Sequence, residues 1–165
     1  MRRISLLTAA TAILFSSVAA LAQGLIDKGF VAGWNVMVDP AFGNGCLIQS
    51  VFEDNTVFRL GYDAENDRGY FVVFHKGWGN IKKGETYNIT FDLDGETFNA
   101  TATGFYLDKV PGAGVFFEDR NFVTAIAQKS GMTVYNQAGE KVIAFDLKGS
   151  NKAIEYARKC QKEMN

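Results

Sequence analysis

His75 is the one histidine of the chain, and it stands in the run Phe74-His75-Lys76-Gly77-Trp78-Gly79-Asn80. A histidine can act as a general base when a hydroxyl, thiol or water lies within about 3 Å and a carboxylate orients the ring. The sequence puts no such partner beside His75, so the plainer reading is a strand-end histidine at the rim of a sheet. Neither G-x-S-x-G nor S-x-x-K occurs, so a familiar serine hydrolase lacks its signature. Asp92, Asp94 and Glu96 stand in Asp-Leu-Asp-Gly-Glu. A calcium loop needs a longer segment, further ligands and flanking helices. These acids read instead as the solvated face of a β-ribbon, and Asp63, Glu65 and Asp67 as a solvated turn. One histidine and two cysteines cannot build a multi-ligand His/Cys metal site. No catalytic residue, metal or cofactor is therefore assigned.

Recognition is the other chemistry available. Three loops, 39–45, 75–81 and 108–114, punctuate apolar runs, and loops on a rigid β scaffold commonly carry binding. Trp78, held between two glycines, is the candidate anchor, with His75 and Lys76 beside it, because tryptophan is over-represented at interface hot spots. The alternative is an indole folded back over the sheet edge.

These loops need strands to hold them. Short apolar runs alternate with Gly, Asn and Asp, the pattern of an antiparallel β region. Strands are predicted at 30–38, 46–52, 56–62, 70–76, 86–93 and 97–104. Tyr87, Ile89, Phe91 and Leu93 alternate with Asn88, Thr90 and Asp92, one face for the core and one for water. Asp94-Gly95 suits a tight hairpin, because both residue types tolerate positive φ. The run 70–75 is apolar on both faces and belongs in the middle of the sheet. A short helix is predicted over 118–129, then a hairpin of 132–135 with 141–147. Ser150 can cap a final helix from about 151 to 162, with Ala153, Ala157, Cys160 and Met164 as its apolar stripe. The expected fold is mainly β: an antiparallel β-sandwich or open barrel with one short internal helix and a C-terminal helix.

The chain has 165 residues, 47% of them hydrophobic and 21% charged, which suits one globular domain. Residues 1–22 read as a secretory signal peptide. Arg2 and Arg3 precede an apolar run too short to span a bilayer, and Ala20-Leu21-Ala22 is a small-residue cleavage site. Residues 23–165 would then be a single exported domain. Without Arg2 and Arg3, 15 basic residues face 18 acidic ones, a net charge of −3. That balance gives no basic surface for nucleic acid. Export makes a disulfide between Cys46 and Cys160 the default, since the destination is oxidising and no C-x-x-C pair exists.

The segment Val142-Ile143-Ala144-Phe145-Asp146-Leu147-Lys148-Gly149-Ser150, with Ala153 and Cys160 following, resembles small exported alphaproteobacterial proteins of the invasion-associated locus B type. The resemblance covers about the last 35 residues, a strand–Gly–helix ending. It implies a Gram-negative envelope protein linked to host interaction or virulence, and it transfers no catalytic residue. The expected function is a non-catalytic envelope binding module: an inhibitor, an immunity-type factor or a host-interaction protein. Its partner would be a protein in the envelope or outside the cell, with a periplasmic or secreted location. Two alternatives stand beside it. One is a small hydrophobic-ligand carrier using a barrel interior. The other is a small hydrolase centred on His75.

Overall fold

The alternating run 86–93 forms a strand, β6 (Thr86–Leu93), and Asp94-Gly95 returns the chain into β7 (Glu96–Leu107). Asp94 and Gly95 take φ of 54° and 92°, as a twist-matched two-residue hairpin requires. This structure, a computed structural model, describes residues 24–164. The expected leader at 1–22 lies outside the described residues. The other strands are β1 (Ile26–Val31), β2 (Trp34–Asp39), β3 (Gly45–Val51), β4 (Val57–Asp63), β5 (Arg68–Phe74), β8 (Val110–Phe117), β9 (Gly131–Tyr135) and β10 (Lys141–Asp146). They make one open sheet of ten strands, ordered β1-β2-β3-β4-β5-β8-β7-β6-β9-β10 and antiparallel throughout. The helices are α1 (Asn121–Ala127) and α2 (Ser150–Met164).

Local chemistry explains where the elements differ from the pattern. The stretch 30–38 is not one strand. Ala32 and Gly33 both take positive φ, 51° and 95°, and turn it into the β1–β2 hairpin. The stretch 108–114 is not a loop. Asp108-Lys109 is a tight turn, and Pro111-Gly112-Ala113-Gly114 continues as β8 between β5 and β7. Its glycines look like punctuation, yet they are needed in the strand. A Cβ on Gly112 would strike the Phe74 ring and the Val73 carbonyl, and one on Gly114 would crowd the Phe105 ring. Glycine in a strand interior often marks such close approach.

Two apolar layers result. On the inner face, Trp34, Val36, Ile48, Phe58, Leu60, Phe71, Val73 and Phe91 are buried together with α1 and α2. On the outer face of β5, Tyr70, Val72 and Phe74 pack with Phe42, Phe105 and Phe116. Asp39 caps the one-turn helix Pro40–Phe42 by accepting the Ala41 N–H at 2.9 Å. That turn lays Phe42 on Tyr70 and Phe116, with centroids 4.9 and 6.0 Å apart. The segment 39–45 is therefore a cover for the outer cluster. Strand β5 is covered on both sides, as its two apolar faces demand.

The sheet curls so that β10 meets the far half. Phe145 packs at a tilt against Phe52 and Phe58, with ring centroids 5.3 and 4.9 Å away. Trp34 Nε1 donates to the Lys148 carbonyl at 3.0 Å. Beyond β10, Gly149 takes φ +84°, and a Cβ there would strike the Ala32 carbonyl. Ser150 does not serve as the expected cap. Its buried hydroxyl donates to the Ala127 carbonyl at 2.8 Å, joining α2 to the end of α1. Helix α2 then crosses β2 and β3 with Ala153, Ile154, Ala157 and Cys160 inward. Cys160 is disulfide-bonded to Cys46, 114 positions away, and the Cys46 N–H donates to Gln161 Oε1 at 2.8 Å.

In the chain-entropy picture, a crosslink closing a loop of that length removes about 4–5 kcal/mol of unfolded-state freedom. The double variant Cys46→Ala/Cys160→Ala is expected to lose about 3–5 kcal/mol in urea unfolding. A loss below about 1 kcal/mol would show that α2 packing holds the helix without the crosslink.

Candidate functional site

The sheet order forces two long crossings. From β5 to β6 the chain must pass over the ends of β8 and β7. It does so through 75–85, and this segment is tied down along its length. His75 N–H donates to the Pro111 carbonyl at 3.0 Å, Gly84 N–H to Gly104 at 2.9 Å, and Gly104 N–H to Glu85 at 2.8 Å. The Tyr106 hydroxyl donates to the Ile81 carbonyl at 3.0 Å. Two successive turns, Trp78 N–H to His75 and Ile81 N–H to Trp78, carry the Trp78 indole inward. It is half-buried and packs against the inner core. From β8 to β9 the chain passes through α1. There Phe122 packs edge-on to Phe98 and Phe117 at 5.2 Å, filling the interior beside Phe91.

Between these crossings the inner face is left partly unfilled. A cavity of about 620 Å³ is lined by Phe71 and Val73 of β5, Ala113 of β8, Ala102 of β7, Tyr87 and Ile89 of β6, Val134 of β9 and Val142 of β10. Trp78 and Ile81 close it from the crossing loop, and Asn136, Gln137 and Ala138 from the β9–β10 turn. Two features make the space. Ala102 and Ala113 present only methyl groups where neighbours present Phe71 and Val73. In addition, the β6–β9 ladder runs only from Leu93↔Met132 to Thr90↔Tyr135. The half of β6 from Thr86 to Ile89 pairs with β7 alone. The curled sheet splits there, between β6 and the β9–β10 turn. None of the lining residues is charged; the polar ones are Asn80, Thr86, Tyr87, Asn88, Asn136 and Gln137. Such a lining is chemically suited to a neutral, mainly apolar molecule with polar groups at its rim. Its size lies within the roughly 300–1,000 Å³ of small-molecule pockets.

The chain matches no family model, no curated protein and no solved structure.

Of the three residues singled out on the 75–81 loop, only Trp78 lines the cavity. Lys76 is exposed. His75 sits outside, its ring 5.7 Å from the Trp78 indole. Its Nδ1 accepts the Gly77 N–H at 3.0 Å, which places the ring proton on Nε2 in the neutral form. Nε2 faces Asp54 Oδ2 at 3.7 Å. The nitrogen that could take up a proton is thus occupied by a backbone donor. Ala102, Ala113, Val142 and the 136–138 turn were not legible as site residues, because small and apolar residues look the same in a packed core as around a cavity.

The acidic clusters tie the fold together. Asp94 accepts the Ser130 and Gly131 N–H groups at 2.8 and 2.9 Å, and these bonds hold its carboxyl below the usual value. Glu96 pairs with Lys129 at 3.2 Å. Asp63 is not part of a solvated turn. It is fully buried, accepting from Arg68 Nε at 2.8 Å and Asn66 Nδ2 at 2.8 Å. Burial raises its carboxyl, but the Asn66 and Arg68 hydrogen bonds outweigh burial and hold it below the ordinary range. Among the described residues no group of three His, Cys, Asp or Glu side chains could hold a metal ion.

A depressed folded-state value means that the Asp63 contribution is present above the unfolded carboxylate value of about 3.9 and fades as pH falls through the folded value. Asp63→Asn is therefore expected to be less stable than wild type in urea at pH 7. The gap should narrow steadily below about pH 4. A gap independent of pH would assign the loss to packing instead of charge.

Proposed function

We propose that this chain is a non-catalytic exported binding protein that takes a small, uncharged, largely apolar ligand into the split interior of its barrel. The observation that carries the reading is the cavity of about 620 Å³ with no charged residue in its lining. Apolar walls supply affinity at about 25 cal/mol per Å² of buried surface. The amides of Asn80 and Gln137 supply orientation, while the Asn136 amide is taken up by its own turn, donating to Glu140 and accepting the Ala138 and Glu140 N–H groups. Trp78 offers a flat wall that stacks on a ring or an acyl chain. The occupied Nδ1 of His75 supports a binding role over a hydrolytic one. The disulfide, the resemblance to exported envelope proteins and the leader-like start support a periplasmic or secreted site of action. No helix among the described residues is long and apolar enough to cross a membrane.

Filling the cavity tests this. An uncharged fluorescent apolar probe, N-phenyl-1-naphthylamine, is titrated against wild type, Trp78→Ala and Ala113→Phe. Wild type is expected to bind saturably, Ala113→Phe at least about tenfold more weakly because its ring occupies the space, and Trp78→Ala about five- to tenfold more weakly. Native mass spectrometry of the purified protein is expected to show a neutral small molecule released on unfolding. Equal probe affinity in all three proteins would sink the reading. So would a protein partner captured equally by wild type and Ala113→Phe, with no small molecule bound.

A further inference from the structure

A second concavity, of about 330 Å³, shares no lining residue with the apolar cavity. Tyr62 at the end of β4, Arg120, Asn121 and Thr124 at α1, and Arg158, Gln161 and Lys162 on α2 line it. Three cations from two helical segments meet over one buried tyrosine. The Arg120 guanidinium lies 5.3 Å from the centre of the Tyr62 ring. Burial pushes the Tyr62 hydroxyl up, while the Thr124 side chain and the charges of Arg158 and Arg120 pull it back, which places that hydroxyl within the field of both arginines.

The carboxylates around it leave most of this charge uncompensated. Asp67 pairs with Arg120 at 2.6 Å. Asp119 accepts the Asn121 N–H at 2.9 Å. Glu155 shares a neighbouring surface hollow with Arg158, Lys159 and Lys162, yet neither Arg158 nor Lys162 forms an ion pair among the described residues. Arg158 and Lys162 are spaced i,i+4 on α2, and like charges at that spacing destabilise a helix. Lys159 adds a further cation beside them. Three cations, Arg120, Arg158 and Lys162, thus share one concave spot whose lining includes no carboxylate. Hydroxyl and amide donors from Tyr62, Thr124 and Asn121 line the same spot. A guanidinium, an ammonium and neutral donors around a small hollow are the partners of a tetrahedral oxyanion, since Arg meets phosphate through paired N–H groups and Lys meets it as a point charge.

We propose that this pocket binds a phosphomonoester-type dianion, held by Arg158 and Lys162 against the Tyr62–Thr124–Asn121 wall. Arg120 is already held by Asp67, so it frames the pocket and swings toward the anion only by giving up that pair. The phosphate group could be free in solution or carried on a lipid, and the chemistry is the same.

The test uses the purified full chain with inorganic phosphate and, separately, vesicles containing phosphatidic acid. At phosphate about ten times its dissociation constant, the melting temperature is expected to rise by about 3–6 °C over sodium chloride of equal ionic strength. Arg158→Gln/Lys162→Gln should abolish that rise while folding normally, because both side chains are exposed. Lys152→Gln, on the same helix but outside the pocket, should keep it. A response to free phosphate assigns a soluble source. Flotation with phosphatidic acid vesicles alone, lost in the double variant, assigns a headgroup. Equal effects of phosphate and chloride with no vesicle binding, or a phosphate effect retained by the double variant, overturn the proposal.

Discussion

The curl of the sheet is set by one seam. Ten strands in sequence leave β1 and β10 as free edges, and an apolar inner face that stays flat cannot be buried. The chain solves this by bringing the turn after β1 against the turn after β10. Gly149 meets the Ala32 carbonyl so closely that only a residue without a Cβ fits. Trp34 Nε1 donates to the Lys148 carbonyl, 114 positions along the chain. Because β10 is anchored there, Phe145 reaches Phe58, and α2 is launched across β2 and β3. The disulfide then closes the far end of α2 onto β3. Relax the seam and the Phe145 contacts, the helix path and the width of the interior all change together.

The interior volume follows from that curl together with the two crossings. Both crossings fall on the inner layer but fill it differently. The α1 crossing brings Phe122 into a cluster with Phe91, Phe98 and Phe117, large rings that interlock. The 75–85 crossing brings one large ring, Trp78, over a floor of Ala102 and Ala113. One end of the barrel is therefore solid and the other is hollow. Ladder pairing makes the same division. Where α1 lies, β6 has partners on both sides; near Trp78 it has one.

Much of the fold was legible because it rests on local chemistry. The alternation along β6, the Asp94-Gly95 turn and the doubly apolar β5 each follow from residues within a few positions. So does the inward face of α2, which put Cys160 where Cys46 could meet it. The misreadings share a cause. Ala32-Gly33 lacks the Asn or Asp of an obvious hairpin, so its turn hid inside an apolar run. Gly112 and Gly114 looked like loop residues because the rings of Phe74 and Phe105 that demand their small size lie on other strands. Ser150 looked like a cap because its neighbour in space, the Ala127 carbonyl, is 23 positions away. The 75–81 loop was legible to the extent that Trp78 stood out. The cavity it closes was not, because the missing volume depends on which alanines face which strands, and pairing between distant strands is invisible in one sequence.

The alanine floor bears on the proposed binding role. Protein interiors pack to the density of organic crystals, and each lining group beside an empty space forgoes dispersion contacts with the atoms that would fill it. Leucine at the half-buried Ala113 would recover part of that loss at no cost in strand propensity. Natural chains keep such unrealised stability where function needs the space. Here the hollow end is also the end whose loop is pinned at Pro111, Gly104 and Tyr106, so it persists without a ligand to prop it open. A cavity held rigidly open, with an uncharged wall and amides at the split, loses little conformational freedom on binding. Preorganisation of that kind lets a modest apolar contact area yield useful affinity.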